Sequence, residues 1–143
     1  MFRRILVPVD GTPGSEQVIP YATDLAVALD AEVVICHVIT SPDAPTASTS
    51  ERQAAQYASR IAQHFRDAGV TVKTQVRRGD PPLEIKRTAV DWEVDAIVMA
   101  TRSRRRLEKL MLGSVADAIV RDCRLPVLLI SSRRKAKAAR RAA

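Results

Sequence analysis

A chain of 143 residues suits one folded domain with one core, and no apolar run in it approaches the ~20 residues needed to cross a bilayer. Apolar residues make up 46% and aromatics only 3%, so the core must be built from Ile, Leu, Val and Ala, the residues of buried parallel strands and their covering helices. Net charge is +7, but six bases (Arg133, Arg134, Lys135, Lys137, Arg140, Arg141) lie in the tail, and removing them from the 23 leaves 17 against 16 acids. The near-neutral body argues against a folded nucleic-acid binder, which carries its basic face on the domain itself. A domain over 1–132 and a basic, disordered tail over 133–143 are expected. Met1-Phe2-Arg3-Arg4 leads straight into Ile-Leu-Val-Pro-Val, too short for a signal peptide and with no A-x-A-like site after it, so a cytoplasmic protein is expected.

Residues 4–9 (Arg-Ile-Leu-Val-Pro-Val) predict a short strand, and 10–15 (Asp-Gly-Thr-Pro-Gly-Ser) a turn. Thr12 or Ser15 can cap the helix that follows, with Glu16 in its first turn. Val18, Ala22, Leu25, Ala26 and Leu29 then recur at helical spacing. Residues 33–39 (Val-Val-Ile-Cys-His-Val-Ile) predict a strand apolar on both faces, which belongs in the middle of a covered sheet. Ser, Thr, Pro, Ala and Asp over 40–50 predict a flexible loop. A helix from about Glu51 places Ala54, Tyr57, Ala58, Ile61, Phe65 and Ala68 on one side, and Gly69 is suited to stop it.

The alternation of Val70, Val72 and Val76 predicts a strand nearer the sheet edge. Gly79-Asp80-Pro81-Pro82 makes a turn and opens a helix with Pro in its first turn, and Ile85, Ala89 and Trp92 form its apolar side. Residues 96–100 (Ala-Ile-Val-Met-Ala) predict another fully apolar strand, followed by a basic loop from Thr101 to Lys109. Gly113-Ser114 opens a last helix through Val115, Ala118 and Ile119, and 125–130 (Leu-Pro-Val-Leu-Leu-Ile) predict the final strand. Cys36 and Cys123 lack metal-ligand spacing and read as buried small hydrophobes.

Strands and helices alternate throughout, which implies parallel strands, right-handed crossovers and a five-stranded doubly wound sheet. Ligands of such sheets bind at the carboxyl ends of the strands, where the order reverses. That rule points to the loops after strand 1 (Asp10), strand 2 (Val38 to Thr40) and strand 4 (Ala100 onward). No Ser-His-Asp arrangement, CxxC, HExxH or Walker lysine is found, so a binding or regulatory module is favoured over an enzyme. Asp80 and Glu84 at one helix end suit the helix dipole.

Several landmarks in order resemble the universal stress protein family over residues 3–131. They are Arg-Ile-Leu-Val-Pro-Val-Asp-Gly-Thr at 4–12, His-Val-Ile at 37–39, Gly-Asp-Pro at 79–81 and Asp-Ala-Ile-Val-Met at 95–99, with Met-Leu-Gly-Ser-Val-Ala at 111–116 and Leu-Pro-Val-Leu-Leu-Ile at 125–130. The resemblance implies a Rossmann-like, nucleotide-binding α-hydrolase-like fold, a five-stranded parallel sheet ordered 3-2-1-4-5. It also implies a homodimer joined through 125–130, an ATP site, possible slow ATP hydrolysis that is not the main role, and a part in stress response. Pro8, Val9 and Asp10 are nucleotide-site residues by the resemblance, and Asp10 matches the family's acidic residue that contacts ribose or metal, which allows Mg to enter with the nucleotide. No other metal ligand is expected, and Asp10 equally suits turn formation. Val38 matches the position whose backbone reads the adenine edge. Met99, Ala100, Ser103, Gly113, Ser114 and Val115 would line ribose and phosphates.

The family's phosphate loop is written G-x2-G-x9-G-[ST]. Here Ala100, Ser103 and Gly113-Ser114 keep the spacing, but the first two glycines are replaced. Where a loop needs φ > 0, a side chain costs ~1 kcal/mol or more; at φ < 0 the cost is only crowding. Arg102, Arg104, Arg105 and Arg106 crowd the same loop and suit phosphate oxygens, although a solvated basic loop explains them as well. Two further readings stay open: a dimeric protein-interaction module that has lost ATP, with partners still unknown, and weak, salt-dependent nucleic-acid association through the tail. Membrane insertion is not expected.

Overall fold

The structure, a computed structural model, describes residues 1–40, 50–101 and 114–131. Five strands, β1 (Arg4–Val9), β2 (Glu32–Ile39), β3 (Val72–Arg78), β4 (Ala96–Thr101) and β5 (Val127–Ser131), form one sheet in the order β3-β2-β1-β4-β5. Every pairing is parallel. The fold class and strand order implied by the sequence are those observed.

The helices are α1 (Pro13–Glu16), α2 (Val18–Leu29), α3 (Glu51–Asp67), α4 (Pro81–Asp91) and α5 (Ser114–Asp122). Strand alternation divides the core between two faces. Ile5, Val7 and Val9 of β1 join Val33 and Ile35 of β2 against Val18, Ala22 and Ala26 of α2 and Ala58, Ile61 and Phe65 of α3. Leu6, Val34, Cys36, Ile97 and Met99 point the other way, against Ile85 and Ala89 of α4 and Ala116 and Ile119 of α5. A strand buried on both faces has no polar side to show, which is why β1, β2 and β4 read as continuous apolar runs.

The first crossover differs from the single helix expected. Thr12 caps a separate turn, α1, by accepting the Ser15 N–H, and Pro13 occupies its first position. The apolar stripe of α2 is also shifted from the one its spacing suggests, since Ile19 joins it and Leu29 does not. Val18, Ala22 and Ala26 are buried, Leu25 packs at the margin, and Leu29 is 41% exposed. The helix ends because Asp30 turns left-handed (φ 53, ψ 46) and its N–H closes on the Ala26 and Val27 carbonyls. Ser50 and Gln53 form a reciprocal capping box at the start of α3. Cys36 is buried as expected, whereas Cys123 is only partly so.

The turn from β3 into α4 explains its Gly-Asp-Pro sequence. Gly79 has φ +142, and a Cβ there would lie 3.3 Å from Glu84. Asp80 caps α4 by accepting the Leu83 N–H, and Pro81 needs no donor at the first helical position. Glu84 is buried and serves more than the helix dipole. Arg87 donates to it at 2.9 Å, and Arg77 of β3 stands 3.9 Å away while also pairing with Asp91. Among the described residues no helix is long and apolar enough to cross a membrane.

Candidate functional site

The strand order reverses between β1 and β4, so their following loops diverge to opposite faces and leave a crevice above their carboxyl ends. A cavity of about 600 Å³ opens there. Eight of the residues singled out in the sequence line it: Pro8, Val9 and Asp10 at the end of β1, Val38 in β2, Met99 and Ala100 in β4, and Ser114 and Val115 in the first turn of α5. The other three, Arg102, Ser103 and Gly113, lie outside the described residues, as does the rest of the basic loop.

The β1–α1 turn is built around Asp10. Its Oδ1 accepts the Thr12 N–H at 2.9 Å and the Thr12 hydroxyl at 2.6 Å, and its own N–H donates to Ser15 Oγ at 3.1 Å. Ser15 Oγ in turn donates to the Thr12 carbonyl at 3.0 Å. Gly11 sits at φ +88, a conformation that suits glycine in this turn. Asp10 therefore organises the turn and also borders the cavity.

A second set of contacts holds the turn from below. The Tyr57 hydroxyl accepts the Gly11 N–H and donates to Glu16 Oε2 at 2.7 Å. His37 packs against the Tyr57 ring with centroids 4.9 Å apart, and its Nδ1 donates to the Val9 carbonyl at 3.0 Å. Burial, followed by the bond to Glu16, pushes the Tyr57 phenol well above its ordinary value.

Ala100 answers the question raised by the first missing glycine. It is a regular β4 residue, and the non-glycine residues with positive φ among those described are Asp30 and Glu93. The methyl group therefore adds bulk at the cavity wall without backbone strain. Asp10 is the charged side chain among the described lining residues. Among the described residues no three His, Cys, Asp or Glu side chains cluster to hold a metal ion.

The cavity also includes Thr12, Ser15, Thr40 and Thr101, which sequence reasoning did not select as ligands. Each lies in a segment named by the rule that loops follow the carboxyl ends of strands, and that rule was the signal available. Cys36 forms part of the wall. Burial raises its thiol above the ordinary value, and Sγ donates to Thr88 Oγ1 at 3.5 Å.

A doubly wound parallel sheet with a cavity over the carboxyl ends of its central strands places the protein in the α/β class. The model of the universal stress protein family matches residues 1–131, and the chain belongs to that family. A universal stress protein from Methanocaldococcus jannaschii is 28% identical over 145 residues, spanning 94% of this chain and 85% of the relative. Two solved structures share the fold. A universal stress protein in complex with cAMP has a TM-score of 0.73 at 20% identity, covering 92% of this chain and 98% of that one. One from Archaeoglobus fulgidus in complex with dAMP has a TM-score of 0.69 at 21% identity, covering 91% and 99%.

Proposed function

We propose that this chain is a regulatory nucleotide-binding protein of the stress response, taking ATP with Mg²⁺ in the cavity above β1, β2 and β4. The observation that carries the reading is the convergence of Asp10, Val38, Met99, Ala100, Ser114 and Val115 on one cavity of about 600 Å³. That volume lies within the ~300–1,000 Å³ usual for small-ligand pockets. The cAMP and dAMP held by two proteins of the same fold support an adenine nucleotide as the ligand class. In this reading Asp10 meets ribose or the metal, the Val38 backbone meets the adenine edge, and the first turn of α5 meets phosphate. Arg102, Ser103 and Gly113 complete the phosphate end.

The role is binding rather than catalysis, in the cytoplasm, by a domain over 1–132 with a basic tail over 133–143. The protein acts as a homodimer joined through 125–130. A protein-interaction module without ATP is the second reading, favoured by the replacement of two loop glycines by Ala100 and Ser103. Salt-dependent contact of the tail with nucleic acid is compatible with either.

Thermal unfolding with Mg-ATP, for the native chain and Asp10→Ala at low and high salt, tests the reading. A ligand at 100 times its dissociation constant adds ~2.7 kcal/mol. A saturable, salt-tolerant rise that Asp10→Ala removes is the expected outcome. A rise that salt abolishes and Asp10→Ala leaves intact would mean anion attraction by the arginines, and the ATP reading would fall.

A further inference from the structure

Asp10, Thr12, Gly14 and Ser15 form one wall of the cavity, and all four belong to the segment between β1 and α2. One hydroxyl grips that segment at both ends. Tyr57 Oη accepts the Gly11 N–H at 3.1 Å and donates to Glu16 Oε2 at 2.7 Å. Tyr57 is not among the described lining residues. It stands in α3, whose Ala54, Ala58 and Ile61 are buried.

A phenol can serve both ends at once because its oxygen donates one proton and also accepts. Phenylalanine would give α3 the same ring for packing, so packing does not explain the polar end. The ring has its own contacts: His37 lies 4.9 Å from it and the Arg60 guanidinium 5.2 Å. The grip at Gly11 matters because that residue, at φ +88, has no side chain to anchor it. The peptide plane that Tyr57 holds there is the one that joins Asp10 to Gly11, so its rotation would carry Asp10 with it.

We propose that Tyr57 is a positioning residue of the cavity: its hydroxyl sets the Asp10 turn for the ligand, and through the same two bonds an occupied cavity tightens the seating of α3. This rests on the nucleotide reading above. The second half follows from the first by linkage. If a seated α3 raises ligand affinity, bound ligand favours the seated α3 by the same factor. The solvent face of α3, which carries Arg52, Gln56 and Gln63, then differs between the empty and the occupied protein. A binding protein without catalytic groups can report its ligand through such a difference.

Calorimetric titration with Mg-ATP, joined to amide hydrogen exchange, tests this on the full chain, Tyr57→Phe and Asp95→Asn. Tyr57→Phe keeps the ring and should weaken Mg-ATP about fivefold, the worth of one hydrogen bond. Asp95 accepts from Arg3 and Arg4 at the opposite, amino end of the sheet, so Asp95→Asn loosens the fold but should leave Mg-ATP affinity unchanged. At equal saturation, Mg-ATP should slow exchange in α3 about fivefold less in Tyr57→Phe than in the native chain, and slow α5 equally in both. Should Tyr57→Phe not fold, Glu16→Ala opens the other end of the grip and should show the same losses. Native affinity in Tyr57→Phe, or an equal loss in Asp95→Asn, would overturn the positioning role while the nucleotide reading stands. Slowing of α3 that ignores Tyr57→Phe would overturn the coupling. A native chain that does not bind Mg-ATP would overturn the nucleotide reading and this inference with it.

Discussion

Tyr57, in α3, accepts the backbone N–H of Gly11 through its hydroxyl at 3.1 Å. One phenol thereby ties the helix that covers β2 and β3 to the turn that carries Asp10. Tyr57→Phe leaves the Gly11 N–H without this acceptor and Glu16 without this donor, and should cost about 1–2 kcal/mol at neutral pH. The loss has a pH signature. Burial and Glu16 raise the phenol, so the folded chain keeps its proton after the unfolded chain has lost it near pH ~10. The stabilisation is complete below that value and falls as pH rises beyond it. In urea unfolding, the gap between native and Tyr57→Phe chains should be constant to about pH 9 and shrink above pH ~10. A gap that widens in alkali would show that the phenol is not held as described.

Asp95 gives the opposite dependence. Its Oδ2 accepts the Arg3 and Arg4 N–H groups at 2.7 and 2.9 Å, and these two bonds, Arg4 first, hold its carboxyl below the ordinary carboxylate range. Its stabilisation is complete above the ordinary value near ~4 and is lost as pH falls through the lowered one. Asp95→Asn should cost about 1 kcal/mol or less near neutrality, since the site is close to solvent. The difference from the native chain should vanish in acid. A difference that persists at pH 2 would point to lost packing instead.

Asp30 holds the left-handed position after α2 and is exposed. Glycine adopts that conformation without a Cβ penalty. Asp30→Gly should raise the melting temperature by about 2–4 °C, the effect of under 1 kcal/mol in a chain of this size. A fall in melting temperature would mean that the aspartate carboxylate contributes more than its backbone strain removes.

The two sheet edges predict which surface pairs. Lys73, Arg77 and Arg78 blunt the β3 edge, whereas β5 carries only Val127, Leu128, Leu129, Ile130 and Ser131, with Leu128 45% exposed. In sedimentation at micromolar concentration the native chain should run as a dimer and Leu128→Lys as a monomer. A native monomer would remove β5 as an association surface.

The sheet was legible because strands buried on both faces cannot hide their composition; β1, β2 and β4 admit no polar residue at positions such as Leu6, Val34 or Ile97. The landmark residues carried the candidate site, since eight of those selected border one cavity. What stayed hidden depends on distant partners. Nothing local to Tyr57 marks it off from the other apolar residues of α3, because its hydroxyl serves Gly11, 46 residues earlier. Asp95 likewise stands in a recognised segment, but its two donors are at the far end of the chain. Leu29 misled for a related reason: helical period gives the direction of a side chain, while exposure depends on whether a neighbour arrives to cover it.

The place of β1 at the centre of the sheet also dictates a timetable. One side of this strand pairs with β2, but the other waits for β4, whose Ala96 and Ile97 match Ile5 and Leu6. Arg4 meets Asp95 across 91 residues. At ~5–20 residues per second, ribosomes leave that flank bare for roughly 5–18 s. The half made of β1, β2 and β3 is complete well before the half that contributes β4, β5 and the first turn of α5. A nascent chain halted before β4 would present an apolar strand edge and only part of the cavity wall, so the cavity is complete only after most of the chain has been translated.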